Sequence, residues 1–557
     1  MRGPGPRRRR GRIFRSSTQV IQKMSYPKLD RRRFLLGAGS LAMFAGLGHA
    51  GRTWAAPAFT AYPFSLGVAS GDPWPDGFVI WTRLAPEPLA EHGGMPMLAV
   101  PVKWEIAEDA RFARIVLAGE ALARPELGHS VHVEVQGLKP ARPYWYRFIV
   151  GGAGASPVGV VRTAPAADDL PGRVRLAVAG CQAYYQGWYD AYRHLSEEPE
   201  LDAVFHYGDY IYEGPAGRNT DKFPIYDAAG NLAVERDHVG GEIYTLDDYR
   251  RRYALYKSDP DLQAAHASAA FVMSFDDHEI DNDWGGEWDQ DRTPPEVFAL
   301  RRFVAMQAWY ENLPVRRTQF PRVDGGTRYF RRLDYGRLLR MHVLDTRSHR
   351  ANQRCLDPSS ARCRYEAGEP SSIMGPAQEA WLDAGLDNGA RWNLIAQQVF
   401  VMPLKARGSG GEEQTWFPDK WDGYPGSRAR LVKSIADRKL TNVVIATGDA
   451  HMNAIGEVPL RDDEPDGPAA ATEFLATSIS SNGDGGIDSA NVTRFTDAGN
   501  PFLKLADNLR GYHTFDVTPD QWRADVKVMD QVQRKGGRLS TRARFVVTPD
   551  EPRLHRA

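Results

Sequence analysis

The chain of 557 residues is 42% hydrophobic and 25% charged, an ordinary soluble composition long enough for two or more domains with sizeable cores. Residues 1–33 hold twelve Lys or Arg against the single acid Asp30, and residues 34–58 add Arg52. A formal net charge of zero therefore leaves the chain from Phe59 onward at −12. A body this acidic lacks the basic footprint of a nucleic-acid binder, so no nucleic-acid partner is expected beyond a possible substrate.

The basic front end reads as an address. In "DRRRFLLGAGSLAMFAGLGHAG", Arg31 and Arg32 precede Arg33, Phe34 and Leu35, and this resembles a twin-arginine export signal. The apolar run from Phe34 to Leu47 is interrupted by Gly37, Gly39 and Gly46, too short and glycine-rich for a stable span. Cleavage is expected after Ala55 or Ala58. Residues 1–58 are read as the signal, with 1–23 disordered ahead of a more natural start at Met24. The partner implied is the twin-arginine export machinery, the location periplasmic or extracellular, with no stable membrane insertion after cleavage.

From Phe59 to about residue 165, "FVIWTRL", "VKWEIAED", "SVHVEVQGL" and "YWYRFIV" are β-rich runs between Gly and Pro turns. Leu138, Pro140 and Tyr144 in "GLKPARPYWYRF" fit the tyrosine corner of fibronectin-III-like or Ig-like sandwiches. A small β-sandwich is expected here, as a cap on the next domain or as a binding module, followed by a linker at 162–172. Beyond it, apolar β-rich runs alternate with amphipathic stretches such as "PPEVFALRRFVAMQAWYENL", which predicts an α/β domain over 166–530. The segment "TFDVTPDQWRADVKVMD" predicts a late hairpin, and 531–557 reads as a basic C-terminal tail.

Polar residues collect where the predicted strands end. "RVRLAVAG" runs into Cys181, "DAVFHYG" into Asp209 with Tyr212 beyond it, and "FVMSF" into Asp276, Asp277, His278 and Glu279. "LLRMHVL" leads to Asp345 and Arg347, and "NVVIATG" to Asp449 and His451. Open α/β sheets build their sites at the carboxyl ends of strands. An Asp after Gly is usually a turn residue, and a lone His usually satisfied structure. Five such ends together point to metal. The set Cys181, Asp209, Tyr212 and His451 offers three anionic donors, which suits Fe(III). Asp277, Asn282 and Asp449 are hard oxygen donors suited to Ca²⁺, with Mg²⁺ or Mn²⁺ as possible substitutes.

"GDYIYE", "DDHEIDNDW" and "GDAHMN", in this order, resemble the PhoD-like alkaline phosphatases of the binuclear metallophosphoesterase superfamily. "FSLGVASGDPWPDGFVIWTRLAPEP", "SISSNGDG" and "RGYHTFDVTPDQW" resemble further segments of that family. The resemblance implies a four-layer αββα sandwich behind the N-terminal β-sandwich. It also implies Fe(III) on Cys181, Asp209, Tyr212 and His451, and one or two Ca²⁺ near Asp209, Asp449 and the Asp277–Asn282 loop. The superfamily's fourth motif normally supplies a histidine; here Gln397 or Gln398 stands in its place. Cys355 and Cys363 are then left to pair with each other or to remain free thiols.

The activity implied is release of inorganic phosphate from esters by a monomeric enzyme, through attack of a metal-bound hydroxide. His278 is expected to contact phosphoryl oxygens or protonate the leaving alkoxide, or else to orient Asp277. Arg347 and Arg510 are candidate phosphate contacts. Two other readings remain open: a phosphodiesterase or phospholipase-D-like hydrolase on the same site, and a catalytically dead binding module.

Overall fold

The computed structural model describes residues 59–217, 223–353, 365–366, 368–407, 413–414, 417–496 and 498–557. The segment 1–58, read from sequence as an export signal, and Cys355 and Cys363 lie outside the described residues.

The N-terminal segment supplies β1 (Val68–Trp74), β2 (Gly77–Arg83), β3 (Val100–Ala107), β4 (Ile115–Ala123), β5 (Ser130–Val135), β6 (Pro143–Val150), β7 (Gly154–Ala155) and β8 (Gly159–Arg162). Strands β3, β4, β6, β7 and β8 form one antiparallel sheet. The Tyr144 hydroxyl accepts the Lys139 N–H at 3.0 Å, which is the expected tyrosine corner.

Downstream follow β9 (Val174–Ala179), α1 (Asp190–Ser196), β10 (Ala203–His206), α2 (Leu246–Lys257), α3 (Pro260–Ser268), β11 (Ala270–Met273) and α4 (Pro295–Asn312). Then come β12 (Arg331–Tyr335), β13 (Leu339–Val343), α5 (Pro376–Gly385), β14 (Trp392–Ala396), the short ladder β15 (Ala406–Arg407) and β16 (Glu413–Gln414), and α6 (Pro425–Asp437). The chain closes with β17 (Val443–Thr447), β18 (Asn453–Pro459), β19 (Ala469–Leu475), α7 (Ala490–Thr496), β20 (Leu503–Asp507), β21 (Gly511–Val517), β22 (Trp522–Met529), β23 (Leu539–Thr548) and β24 (Glu551–Arg556).

The described residues build a ten-stranded sheet, β24-β23-β22-β21-β9-β10-β11-β1-β2-β5, and a seven-stranded sheet, β12-β13-β14-β17-β19-β18-β20. In β9, Leu176 and Val178 face the core between the sheets, whereas Ala177 and Ala179 join the cluster containing helix residues Tyr253 and Trp309. In β17, Val444 and Ala446 face that same inter-sheet core, whereas Val443 and Ile445 pack with Leu431 and Ile435 of α6. Strands buried on both faces must be apolar throughout, and here they are. The layers therefore run helix, sheet, sheet, helix, as expected of an αββα sandwich.

Two expectations are corrected. The N-terminal segment is not a self-contained sandwich: β1 pairs in parallel with β11 through Ser70↔Ala270 and Gly71↔Phe271, so β1, β2 and β5 extend the large sheet. Polar ties add to this join. Trp81 Nε1 donates to the Glu311 carbonyl at 2.9 Å, and the buried Arg83 donates to Asn312 Oδ1 at 2.9 Å. The second correction concerns 531–557, which is not a tail. In β23, Ala543, Phe545 and Val547 are buried against the core, while Arg542 and Arg544 reach Asp507 and Asp525.

Candidate metal centre

Loops leaving the parallel strands of both sheets converge on one cavity of about 330 Å³. Cys181 follows β9, Asp209 follows β10, Asp276 and Asp277 follow β11, and Asp449 and His451 follow β17. The turns that aim them are strained. Cys181, Asp209, Asp283, Asp449, His451 and Asn482 all have φ between 50° and 71°, in the left-handed region that side chains avoid. Such outliers gather where function needs a fixed geometry. The Tyr207 ring fills the space that a Cβ would need at Gly180 and at Gly448, and its hydroxyl donates to the Thr477 carbonyl at 2.8 Å. One aromatic residue thus seats both the Cys181 turn and the Asp449 turn.

On one side of Asp209 the donors form a tight group. Cys181 Sγ lies 3.3 Å and Tyr212 Oη 2.9 Å from Asp209 Oδ2. His451 Nε2 lies 3.1 Å from Tyr212 Oη and 3.8 Å from Asp209 Oδ2. Ser481 accompanies them, with its Oγ 2.7 Å from Tyr212 Oη and donating to the Cys181 carbonyl at 2.8 Å. The Asn482 amide pairs with His451 Nδ1 at 2.9 Å. Burial, and after it Asp209, pushes the Cys181 thiol well above its ordinary range, and the same two causes raise the Tyr212 phenol. Neither group ionises here without added positive charge.

On the other side stand carboxylates. Ligand atoms of Asp276, Asp277 and Asp449 lie within 4.8 Å of one another, as do those of Asp209, Asp277 and His278. Burial, then neighbouring acids, holds Asp276 well above the usual carboxylate range despite Arg347, and burial also raises Asp449. Buried oxygens of Asp209 (Oδ1), Asp276 (Oδ2) and Asp277 (Oδ1) have no hydrogen-bond partner. Orphaned carboxylate oxygens beside a raised thiol and phenol fit cations in both places. Thiolate, phenolate and imidazole suit a transition metal, and the all-oxygen group a hard divalent ion. Asn282 lines the cavity, and its amide nitrogen donates to Gln290 Oε1 at 2.9 Å, which leaves its carbonyl oxygen for the site.

His278 lines the cavity with Nδ1 held by Glu213 Oε2 at 2.7 Å. Burial opposes its charge, but Glu213, Asp277 and Asp209 outweigh burial and raise its pKa well above the ordinary value. The two arginines read from sequence sit elsewhere. Arg347 is fully buried behind the carboxylates, donating to Asp276 at 2.6 Å and to both Asp419 oxygens at 2.8 and 3.0 Å. Arg510 is also buried and donates to the His451 carbonyl at 2.7 Å, Ser478 Oγ at 2.6 Å and the Ser481 carbonyl at 3.0 Å. Neither lines the cavity, because internal acceptors already take their donors. Gln397 and Gln398 likewise turn into packing, Gln398 bonding Thr346, Ser274 and Leu344.

Residues not singled out from sequence complete the lining: Asp283, Lys420, Asn482, Arg494 and Asn508, with Phe400, Phe417, Ala450, Met452 and Phe495. Glu279 acts from below, its carboxylate accepting the N–H groups of Asp209, Tyr210 and Asp276 at 3.1, 2.6 and 2.8 Å. Its place in "DDHE" was visible; its role, tying two strand ends together, is not a local property. The Asp419–Lys420 pair, flanked by Phe417 and Trp421, was the missed signal for Lys420.

An αββα sandwich with sulfur, nitrogen and oxygen donors at the carboxyl ends of both sheets has the make-up of a metal-binding hydrolase centre. The family model for the PhoD-like phosphatase matches residues 176–526, and that for the PhoD-like phosphatase, N-terminal domain, matches 50–165. Alkaline phosphatase D of Bacillus subtilis (strain 168) is 40% identical over 552 residues, covering 98% of this chain and 92% of that one. The solved structure of PhoD, 41% identical, matches with a TM-score of 0.83 over 90% of this chain and 93% of its own. The chain belongs to the PhoD-like phosphatase family and is a phosphate-ester hydrolase. Among the described residues no helix is long and apolar enough to cross a membrane.

Proposed function

We propose that the protein is an exported alkaline phosphatase that holds Fe(III) on Cys181, Asp209, Tyr212 and His451. Ca²⁺ would bind across Asp209, Asp277 and Asp449, with Asn282 at its margin. The observation that carries this reading is Asp209, which faces a thiol, a phenol and an imidazole with one oxygen and has its other oxygen unpartnered. When bound, the ions would supply an acidified water and positive charge for the phosphoryl oxygens.

The chain's own residues have four tasks. Ser481 and Asn482 keep Tyr212 and His451 in place. Glu279 holds the Asp209 and Asp276 backbones at a fixed separation. His278, kept protonated by Glu213, is the general acid: its Nε2 carries the proton that the leaving alkoxide needs. Arg347 and Arg510 act on the protein alone, one neutralising buried carboxylates and the other bracing the His451 backbone.

The test is metal content by mass spectrometry on protein purified without chelator, paired with turnover of 4-nitrophenyl phosphate and bis(4-nitrophenyl) phosphate. About one iron and at least one calcium per chain, with faster turnover of the monoester, is the expected result. Faster diester turnover would move the assignment to a phosphodiesterase. Zinc alone, or no metal, would overturn the donor assignment.

A further inference from the structure

With ions on Asp209, Asp277 and Asp449, Asp283 still lines the cavity, and an uncommitted cationic side chain there would add to the positive charge that the ions supply. Lys420 is committed: its ammonium lies 3.0 Å from Asp419 and also contacts Asp449. His278 is committed to Glu213. Arg494 differs. Its guanidinium carbon lies 4.7 Å from the Phe495 ring centroid and 5.7 Å from that of Phe417. Among the described residues it has neither an ion-pair partner nor a side-chain hydrogen bond. Its side chain is exposed, and no carboxylate stands beside it to set against the partial desolvation it has.

The platform beneath it is rigid. Phe417 stands 5.5 Å from Phe400 and 5.6 Å from Phe495, centroid to centroid. Asn500 bonds the Phe495 carbonyl at 2.7 Å and both backbone groups of Lys405, at 2.9 Å each, which anchors the end of α7. A planar cation resting on aromatic faces loses little freedom when it takes up an anion, and its five donors stay available at the edge. Phe400, Phe417 and Met452 meanwhile add apolar surface to the cavity lining.

We infer that Arg494 is a substrate-binding residue that takes an anionic phosphoryl oxygen, and that the phenylalanine wall beside it selects esters of apolar or aryl alcohols. This rests on the phosphatase reading of the same cavity. The experiment uses the metal-loaded protein with Arg494→Met, Arg494→Lys and Phe417→Leu. Readouts are metal content, calorimetric affinity for inorganic phosphate, and KM and kcat for 4-nitrophenyl phosphate and glycerol 2-phosphate. Arg494→Met is expected to weaken phosphate binding and raise KM for both esters about tenfold, with metal content retained and kcat within about twofold. Arg494→Lys should fall between it and the parent. Phe417→Leu should raise KM for the aryl ester more than for the glycerol ester. Unchanged phosphate affinity in metal-loaded Arg494→Met overturns the inference, as does loss of fold or metal, which would make the arginine structural. Wild-type protein that holds metal but turns over neither ester would instead sink the phosphatase reading, because phosphate calorimetry reports on Arg494 separately.

Discussion

Cys181 shows how much of the site's chemistry is decided at single side chains. Burial and then Asp209 hold its thiol well above the ordinary range, so on the proposed assignment a cation would have to displace its proton. Cys181→Ser is expected to lose iron and to reduce turnover by at least about 100-fold while leaving the circular dichroism spectrum unchanged. Retained iron and full turnover would end the assignment. Arg347 makes the opposite case. It is the shared cation of Asp276 and Asp419 and lies 3.6 Å from both Asp277 and Asp449. Removing one partner of a buried ionic group leaves uncompensated charge, which costs about 3–5 kcal/mol. Arg347→Met should therefore lower the urea midpoint of chelator-treated protein. A substrate-contacting arginine would raise KM and leave that midpoint alone. The five strand ends were legible in sequence because each polar residue interrupts an apolar run. Committed and uncommitted arginines were not, since Arg347, Arg494 and Arg510 differ only in what the fold brings against them.

Among elements, legibility follows locality. Strands β9, β10, β11 and β17 announce themselves as short apolar runs ending in Gly or Asp, because both of their faces are covered. The pairing of β1 with β11 joins residues about two hundred positions apart, and nothing in "VASGDPW" says so. Strands β23 and β24 were misread because arginines alternate with apolar residues in "RARFVV", and the charges dominate the composition. The alternation itself is the period of a half-buried strand, and it was the usable signal. Phe545, buried on the inner face of β23, tests the point. Phe545→Ala should cost about 3–5 kcal/mol in urea unfolding. A frayed terminus would show no change.

Across the whole molecule, buried titratable groups outside the site give stability a direction in pH. Burial pushes His132 down to about 4, and His342 and His513 down to about 3. Each stays neutral in the fold while its unfolded counterpart takes a proton below about 6.5. The unfolded state thus binds more protons between pH 6.5 and the folded values, and stability falls on acidification through that window. Lys257, buried over the Trp81 ring, is lowered to about 7, first by burial and then by Arg83. Between pH 7 and its ordinary value of 10.5 the unfolded lysine again holds the extra proton, so stability from this residue rises toward alkaline pH. Burial raises Asp261 to about 6 and Glu473 to about 7, and these groups oppose the histidines over the acid window. The test therefore lies above pH 7, where Lys257→Met should flatten the rise of melting temperature with pH. A lysine unperturbed in the fold would leave the two alkaline profiles parallel.

The ten-stranded sheet also sets a timetable. Its parallel centre, β9, β10 and β11, is flanked on one side by strands from the chain's beginning and on the other by strands from its end. Strand β9 pairs with β21, more than three hundred residues later, so a nascent chain carries an unpaired edge until synthesis is nearly finished. Closing such distant pairings is slow and leaves sticky intermediates exposed. Early release from the ribosome would therefore yield a species prone to aggregation rather than a smaller working enzyme.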